Sequence, residues 1–333
     1  MTNSSKALYR RLPMGIWALG MVSLFMDVSS ELVHSLLPLF MTSVLGTSMM
    51  TIGIIEGLAE AAAAIMKVFS GAVSDYFRKR KILAVLGYGL SALTKPIFPL
   101  AASIGWVFGA RFTDRIGKGI RGAPRDALVA EIAPASLRGA AYGLRQALDS
   151  VGAFIGPLLA ILFMFIFADN IRQVLWVAVI PALIAVLILI IAVREPEKPA
   201  SAAGATKRLT LADARRLPAR FWFVVVLGTV FTLARFSEAF LILRARDVGL
   251  AMGYVPVIMI VMNIVYSAGA YPAGAAADRI SSRMLLVTGL AVLIVSDIVL
   301  AMAKTPWVAL AGAAFWGLHM ALTQGLLSKL VAD

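Results

Sequence analysis

The sequence predicts an all-α polytopic membrane protein built from two similar helical halves. Hydrophobic residues make up 60% of its 333 residues, and the mean hydropathy is +0.88, well above that of soluble domains. The apolar residues are gathered into long runs, and short motifs of the first half return in the second. The chain has no cysteine, which excludes disulfides and thiolate metal sites.

The apolar runs are predicted to be transmembrane helices. Most have the ~20 residues that a helix needs to cross a bilayer, and they lack the short alternating pattern of barrel strands. The fourth is shorter and ends in charged residues. In chain order the runs are Met14–Val44, Met49–Val73, Ile82–Ala102, Gly105–Gly119, Ala140–Phe167, Val174–Val193, Phe221–Leu243, Tyr254–Ala276, Met284–Ala303 and Trp307–Leu327.

An internal repeat relates the two halves. Repeated hydrophobic halves are the construction plan of many secondary transporters. The matched pairs are GAVSDYFRKR at Gly71–Arg80 with GAAADRISSR at Gly274–Arg283, Ser30-Glu31 with Ser237-Glu238, and LVAE at Leu128–Glu131 with LVAD at Leu330–Asp333.

Lysine and arginine are concentrated in alternate connections between the runs. They precede the first run and follow the second, fourth and sixth, whereas the intervening connections are nearly free of them. Because basic loops stay on the cytoplasmic side, we expect a multi-pass protein of the inner membrane with a cytoplasmic N-terminus. The net charge of +13 is then a topology signal, and nucleic acid is not an expected partner.

One segment has the composition of a linker. Residues 194–220 contain Pro196, Pro199, the run ASAAGA and many charges, which suits a cytoplasmic surface strap. We therefore predict an N-terminal six-helix bundle over residues 1–193, the linker over 194–220, and a four-helix C-terminal bundle over 221–333.

The segment after the second run resembles the cytoplasmic signature of the major facilitator superfamily, whose usual form is G-x-L-x-D-R-x-G-R-K. Tyr76 and Arg78 depart from that form, and the second copy matches it more loosely. The residues that carry the resemblance are Gly71, Asp75, Lys79 and Arg80 in the first copy and Gly274, Asp278 and Arg279 in the second.

A second motif lies in the fifth run. Gly152-x-x-x-Gly156-Pro157 resembles the core of the antiporter motif of proton-driven drug and multidrug exporters, although Ala160 and Ile161 replace two further glycines of that motif. The resemblance implies the superfamily's fold of two pseudo-symmetric bundles. It also implies that the first, fourth, seventh and tenth helices line a central cavity.

Both motifs have a physical interpretation. Glycines allow close approach of helices, and an aspartate accepts hydrogen bonds from a neighbouring helix N-terminus and pairs with arginine. The cytoplasmic motif is therefore predicted to latch the two halves together. The alternative is a charged loop that only sets topology. In the fifth run, the two glycines and Pro157 are predicted to allow tight helix packing and a local bend. The alternative is ordinary packing of small residues.

Charged residues inside the apolar runs indicate the functional site. Burying one costs about 2.5–3.5 kcal/mol on insertion scales, so each needs a partner or a water-filled cavity. Asp27, Glu31 and His34 share an arc of about 60° on one helix. Static ion pairs between helices are the alternative, and a hydrogen bond to a carbonyl is the alternative for His319. The candidate substrate and proton cavity comprises Asp27, Glu31, His34, Arg111, Arg115, Arg235, Glu238 and His319, supported by Glu56, Glu60, Arg145 and Asp149.

Several catalytic classes are excluded. Gly117–Gly122 matches G-x-G-x-x-G but follows a charge-striped helix rather than a strand, and the sequence lacks a phosphate loop, a zinc motif and a nucleophile elbow. We therefore expect no cofactor, no metal and no enzymatic activity. The expected function is proton-coupled export of a small organic compound by a monomer in the lipid bilayer. The alternative is a proton-coupled importer or facilitator of a small anion, metabolite or metal chelate, and a membrane-embedded enzyme is a remote one.

The repeat register gives one more expectation. Asp333 corresponds to Glu131, after which the first half continues with two more helices. A six-plus-six arrangement implies that counterparts of these two helices are lacking here. A fragment, a truncated gene and a true ten-helix transporter all fit this register, and the first two predict poor stability and no transport.

Overall fold

The computed structural model describes residues 12–77, 79–195, 235–277 and 280–332, together with residues 222, 226, 228 and 229. Within these ranges the chain is helical and has no strand, so the all-α prediction is confirmed. We label the helices α1 Met14–Leu39, continued by a π turn at Phe40–Val44, α2 Met49–Phe77, α3 Arg80–Thr94 with a short segment at Ile97–Leu100, α4 Ile104–Ile132, α5 Arg138–Ile166, α6 Ile171–Val177 and Val179–Ala192, α7 Ala239–Asp247, α8 Val257–Ala277, α9 Ser282–Met302 and α10 Pro306–Ala332.

Seven helical stretches in these ranges are long and apolar enough to cross a membrane, which supports the multi-pass prediction. Most of the predicted run Phe221–Leu243 and of the linker lie outside the described residues. The division of the chain at residues 194–220 therefore stays a prediction. The seven stretches are Met14–Val44, Met49–Ser74, Arg80–Leu100, Ala135–Ile166, Ile171–Ala192, Met252–Gly274 and Arg283–Met302.

The fourth helix differs from its prediction. The apolar run ends at Gly119, which put Arg121 and Arg125 in a loop, but α4 continues without interruption to Ile132. Tertiary packing explains the difference, because a Cβ on Gly119 would lie 2.6 Å from the Ala63 carbonyl oxygen of α2. The close approach of α2 to this glycine keeps the charged half of α4 in the bundle, against its low hydropathy.

Two buried apolar clusters show how the halves meet. One, which includes Ile16, Tyr88 and Leu189, belongs to the first half alone. It lies toward the side that carries the N-terminal end of α1, which we call the N-terminal side. The other joins both halves near the opposite side, called here the far side, where Phe40 of α1 and Trp316 of α10 are completely buried in one cluster. The two halves therefore share an apolar core near the far side.

Candidate functional site

A cavity of about 320 Å³ lies between the halves. Its walls come from the halves of α2, α4 and α5 nearest the N-terminal side, from the middle of α1, and from α8 of the second half. The residues that line it are Asp27, Glu31, Lys67, Lys118, Arg121, Gly122, Arg125, Gln146, Asp149, Ser150, Ala153, Asn263, Tyr266 and Ser267.

Asp27 and Glu31 of α1 both line the cavity. They lie on one face of the helix, as their spacing in the sequence predicts. Glycines of α5 hold this face in place. A Cβ on Gly152 would lie 2.7 Å from the Leu24 carbonyl oxygen, and one on Gly156 would lie 2.8 Å from the Glu31 Cβ. Since a real Cβ does not tolerate such distances, the two glycines let α5 support α1 directly behind the carboxylates.

A histidine next to Glu31, one of the lining residues, connects the two halves. The Nδ1 atom of His34 lies 3.6 Å from Glu31 Oε2 on α1 and 3.9 Å from Glu238 Oε2 beside α7. His34 is buried. The two carboxylates occupy the matched positions of the internal repeat, so the imidazole faces one acidic group from each half. We call these three residues the Glu–His–Glu cluster.

The predicted arginines of α4 point to α2 rather than to the cluster. Arg111 donates two hydrogen bonds to Glu56, at 2.9 and 2.6 Å, and both side chains are almost fully buried. Arg115 pairs with Glu60 at 2.9 Å. The predicted supporting carboxylates thus neutralise two of the predicted cavity arginines within the first half.

A buried lysine ties the neighbouring helices to α1. Lys95, after α3, pairs with Asp114 of α4 at 3.0 Å and donates to the Ser30 hydroxyl of α1 at 3.2 Å. On α5, Arg145 pairs with Asp149, which lines the cavity. In the part of the chain that the structure describes, no group of three or more histidine, aspartate or glutamate side chains is arranged to hold a metal ion.

Comparison with known proteins identifies the architecture. The family model of the Major Facilitator Superfamily matches residues 18–333. This chain belongs to the major facilitator superfamily. It is therefore a membrane transporter and not an enzyme.

Relatives and solved structures agree with this membership. An uncharacterized MFS-type transporter of Methanocaldococcus jannaschii, MJ1317, is 34% identical over 289 residues, which cover 84% of this chain and 70% of that protein. An uncharacterized protein of Mycobacterium tuberculosis, Rv2265, is 28% identical over 319 residues, which cover 94% of this chain and 77% of Rv2265. These two similarities extend over most of the chain.

Two solved structures share the fold. A bacterial homolog of the human lysosomal transporter Spinster, in an inward-facing and unoccupied conformation, matches with a TM-score of 0.67 at 16% identity, covering 96% of this chain and 77% of that one. The nucleoside transporter NupG matches with a TM-score of 0.75 at 13% identity, and the match covers 95% of this chain and 86% of NupG. At these identities the matches show the fold alone.

The superfamily's cytoplasmic motif is only partly described. Arg80 at the start of α3 pairs with Glu131 of α4 at 2.7 Å, and its backbone N–H donates to Glu195 at 2.6 Å. Lys79 is exposed. A Cβ on Gly71 would lie 3.7 Å from the Ala123 Cβ, which is an ordinary van der Waals distance, and a Cβ on Gly274 would meet no atom within 4 Å. Asp278, Arg279 and the side chain of Asp75 lie outside the described residues, so the latch stays a prediction.

In the second half of this superfamily member, two predicted cavity residues contact α10 and α9. The Arg235 guanidinium lies over the Trp316 ring, 5.3 Å from its centre. His319 is fully buried, and its Nδ1 lies 2.8 Å from the Gly289 carbonyl oxygen. The structure places His319 between α10 and α9, in the hydrogen-bonded arrangement that was its alternative, and not among the cavity residues.

Sequence reasoning omitted several residues that line the cavity, above all Lys118, Arg121 and Lys67. A signal for two of them was present in the sequence. Lys118 shares a charged stripe of α4 with Arg111 and Arg115, and Lys67 shares one face of α2 with Glu56 and Glu60. The predicted loop after Gly119 concealed Arg121. Asn263 and Tyr266 carry no charge, so nothing in the apolar run of α8 marked them.

Proposed function

We propose that this protein exports a small organic compound across the inner membrane in exchange for protons, by alternating access. The Glu–His–Glu cluster is the observation that carries the proposal. Its histidine is buried, the cluster joins the two halves, and it combines ionisable side chains with a contact that alternating access must break.

The geometry of the cluster supports coupling. The His34 Nδ1 atom lies within 4.0 Å of one carboxylate from each half, and both distances, 3.6 and 3.9 Å, exceed those of good hydrogen bonds. When the halves separate at the far side, Glu238 moves away with the second half and Glu31 stays beside His34 on α1. The imidazole then faces one carboxylate instead of two. A proton bound at the cluster is consequently favoured in one state over the other, which is the requirement for coupling.

The efflux assignment rests on the seam between α1 and α5. Gly152 and Gly156 there match the core of the antiporter motif, and they support the helix that carries Asp27 and Glu31. Asp27 lies on the same face of α1 as Glu31 and lines the cavity. We assign Asp27 to cargo or proton binding and the Glu–His–Glu cluster to coupling.

The lysine and arginine bias supports a cytoplasmic N-terminus in the inner membrane. In that orientation the N-terminal side is cytoplasmic and the cavity faces the cytoplasm, where an exporter collects its cargo. We infer that the monomer is the transport unit, because the cavity lies between two halves of one chain.

A proton-coupled importer or facilitator of a small anion, metabolite or metal chelate is the second candidate. The cavity favours it through its four basic residues, Lys67, Lys118, Arg121 and Arg125. Cargo direction distinguishes the two candidates, since an exporter concentrates cargo against the direction of proton flow.

Reconstitution into proteoliposomes tests the proposal. A pH gradient is imposed, and a panel of anionic, cationic and zwitterionic fluorescent cargos is followed together with internal pH. We expect uphill cargo movement coupled to opposite proton movement. His34→Gln and Glu31→Gln are expected to lower uphill accumulation at least about tenfold while leaving cargo exchange at equal concentrations intact.

The matched control is Asp297→Asn, which removes an intramembrane carboxylate on α9 that does not line the cavity. It should pump like the unmodified protein. If His34→Gln and Glu31→Gln also pump normally, the cluster is structural and coupling lies elsewhere. If cargo and protons move in the same direction, the importer is correct.

A further inference from the structure

The cavity keeps charges of opposite sign apart. Its acidic residues, Asp27, Glu31 and Asp149, belong to α1 and α5. Its basic residues, Lys67, Lys118, Arg121 and Arg125, belong to α2 and α4. The first half therefore presents one acidic wall and one basic wall to the same small space.

Most of these charges already have protein partners. Asp149 pairs with Arg145, Glu31 with His34, and Arg125 with Asp126 at 3.2 Å. Arg121 donates to the Ser91 hydroxyl at 2.6 Å and lies over the Tyr88 ring.

Three charges of the cavity remain. The side chains of Asp27, Lys67 and Lys118 make no hydrogen bond or ion pair within the ranges that the structure describes. Lys67 and Lys118 are exposed to the cavity side, and Asp27 is half-buried. Because no ion pair within 4.0 Å joins Asp27 to either lysine, there is a gap between opposite charges that a ligand can bridge.

We propose that the cavity binds a small zwitterion, with its ammonium group at Asp27 and its carboxylate, or a similar anionic group, at Lys118 and Lys67. The inference rests on the proposed transport function for its physiological meaning. A charge moved into a site at membrane depth is costly without a counter-charge. A zwitterion supplies a counter-charge to both walls at once, whereas a singly charged molecule leaves one wall unmatched.

The remaining wall fits a small zwitterion as well. Asn263, Tyr266 and Ser267 of α8 offer hydrogen bonds without charge, and the Tyr266 hydroxyl is fixed 2.9 Å from Gln324 Oε1. The volume of about 320 Å³ is at the small end of ligand sites. It suits a molecule of amino-acid or dipeptide size rather than a large amphiphilic drug.

Calorimetric titration of the purified full chain in detergent tests the proposal without any gradient. The probes are ω-aminohexanoate, its amide, which carries only the cation, and its N-acetyl derivative, which carries only the anion. The aminobutanoate and aminooctanoate series are run in parallel, so that a mismatch in length does not hide binding. We expect the zwitterion of at least one length to bind about tenfold or more tightly than both of its singly charged analogues.

Two variants test the assignment of each end. Asp27→Asn should abolish the advantage of the zwitterion over the N-acetyl anion, and Lys118→Gln should abolish its advantage over the amide. Lys304→Gln and Asp297→Asn are the matched controls, since both residues lie outside the cavity, and they should leave the preference unchanged.

The outcomes separate this inference from the proposed function. If the singly charged analogues bind as well at every length, if no zwitterion binds, or if the preference survives Asp27→Asn and Lys118→Gln, the zwitterion site is wrong even where vesicles transport other cargos. If the zwitterion binds selectively but vesicles do not move it, the site stands and the transport proposal fails for this cargo.

Discussion

At the scale of single residues, buried ion pairs determine which charges of the first half are free to act. The Arg111–Glu56 pair is bidentate, and its side chains are only 3% and 1% exposed. The pair between Arg115 and Glu60 has the same chemistry, but the Glu60 side chain is 56% exposed. The first pair therefore depends on charge balance far more than the second, because water can solvate Glu60.

This difference predicts the stability of two matched variants. Glu56→Gln leaves the buried Arg111 without a counter-charge and should destabilise the protein by about 3–5 kcal/mol. Glu60→Gln should cost less, about 1–2 kcal/mol, because the pair it breaks is open to water at the Glu60 end, although the Arg115 side chain is only 8% exposed. Thermal unfolding in detergent, followed by tryptophan fluorescence, measures both. Equal melting temperatures for the two variants would show that the Arg111–Glu56 pair is not a structural requirement.

At the scale of helices, the seam between α1 and α5 positions the acidic face. A Cβ on Gly156 would lie 2.9 Å from both the Leu32 nitrogen and the Val28 carbonyl oxygen. These are backbone atoms of α1, which cannot rotate away, so the helices must separate to admit a methyl group. Gly143, also on α5, has nothing within 4 Å of its Cβ position.

Gly156→Ala should therefore destabilise the protein by about 1–3 kcal/mol, as overpacking does, and reduce transport because Glu31 is displaced. Gly143→Ala should be neutral or stabilising by up to about 1 kcal/mol, because alanine favours a helix more than glycine does. Melting temperature and transport rate are measured for both. Full activity in Gly156→Ala would mean that the seam tolerates separation and does not position the carboxylates.

At the scale of the whole molecule, the far side is closed by contacts between the halves. Asp169, between α5 and α6, has a positive φ of 61°, and a Cβ on Gly253 would lie 3.0 Å from its Oδ1 atom. The Phe165 and Tyr254 rings pack edge to face beside it, with centroids 4.9 Å apart. Alternating access requires these contacts to open.

A disulfide across this contact is expected to stop transport. The chain has no cysteine of its own, so Asp169→Cys with Gly253→Cys introduces a single cysteine pair at this contact. Oxidation should reduce transport to background, and a reductant should restore it, whereas Asp169→Cys alone should be insensitive to oxidant. Undiminished transport by the fully oxidised pair would mean that the far side does not open there.

The orientation of the whole molecule makes a separate prediction. Lys79 lies on the N-terminal side, and Lys304 lies between α9 and α10 on the far side. Each is replaced by cysteine in a separate variant. An impermeant thiol reagent added to intact cells should label the cysteine at position 304 and not the one at position 79. Labelling in the opposite pattern would place the N-terminus outside the cell.

Much of this arrangement follows from local sequence. The ranges of α1, α8 and α9 were predictable because a membrane helix satisfies its own backbone and needs only a long apolar run. The shared face of Asp27, Glu31 and His34 was predictable from helical spacing. The end of α4 was not, because its charged half is kept helical by contacts with α2 and α3 that are distant in sequence.

The sequence by itself determined the class of protein, its internal repeat and the set of charges that must be buried. Only the tertiary structure decided how those charges are paired. It joined Arg111 to Glu56, turned His319 toward Gly289, and left Asp27 and Lys118 on the walls of one cavity without an ion pair between them. The physical reason is that burial in a membrane demands a partner or a water-filled cavity for each charge. Which of the two a charge finds depends on which helix faces meet, and those faces belong to residues far apart along the chain.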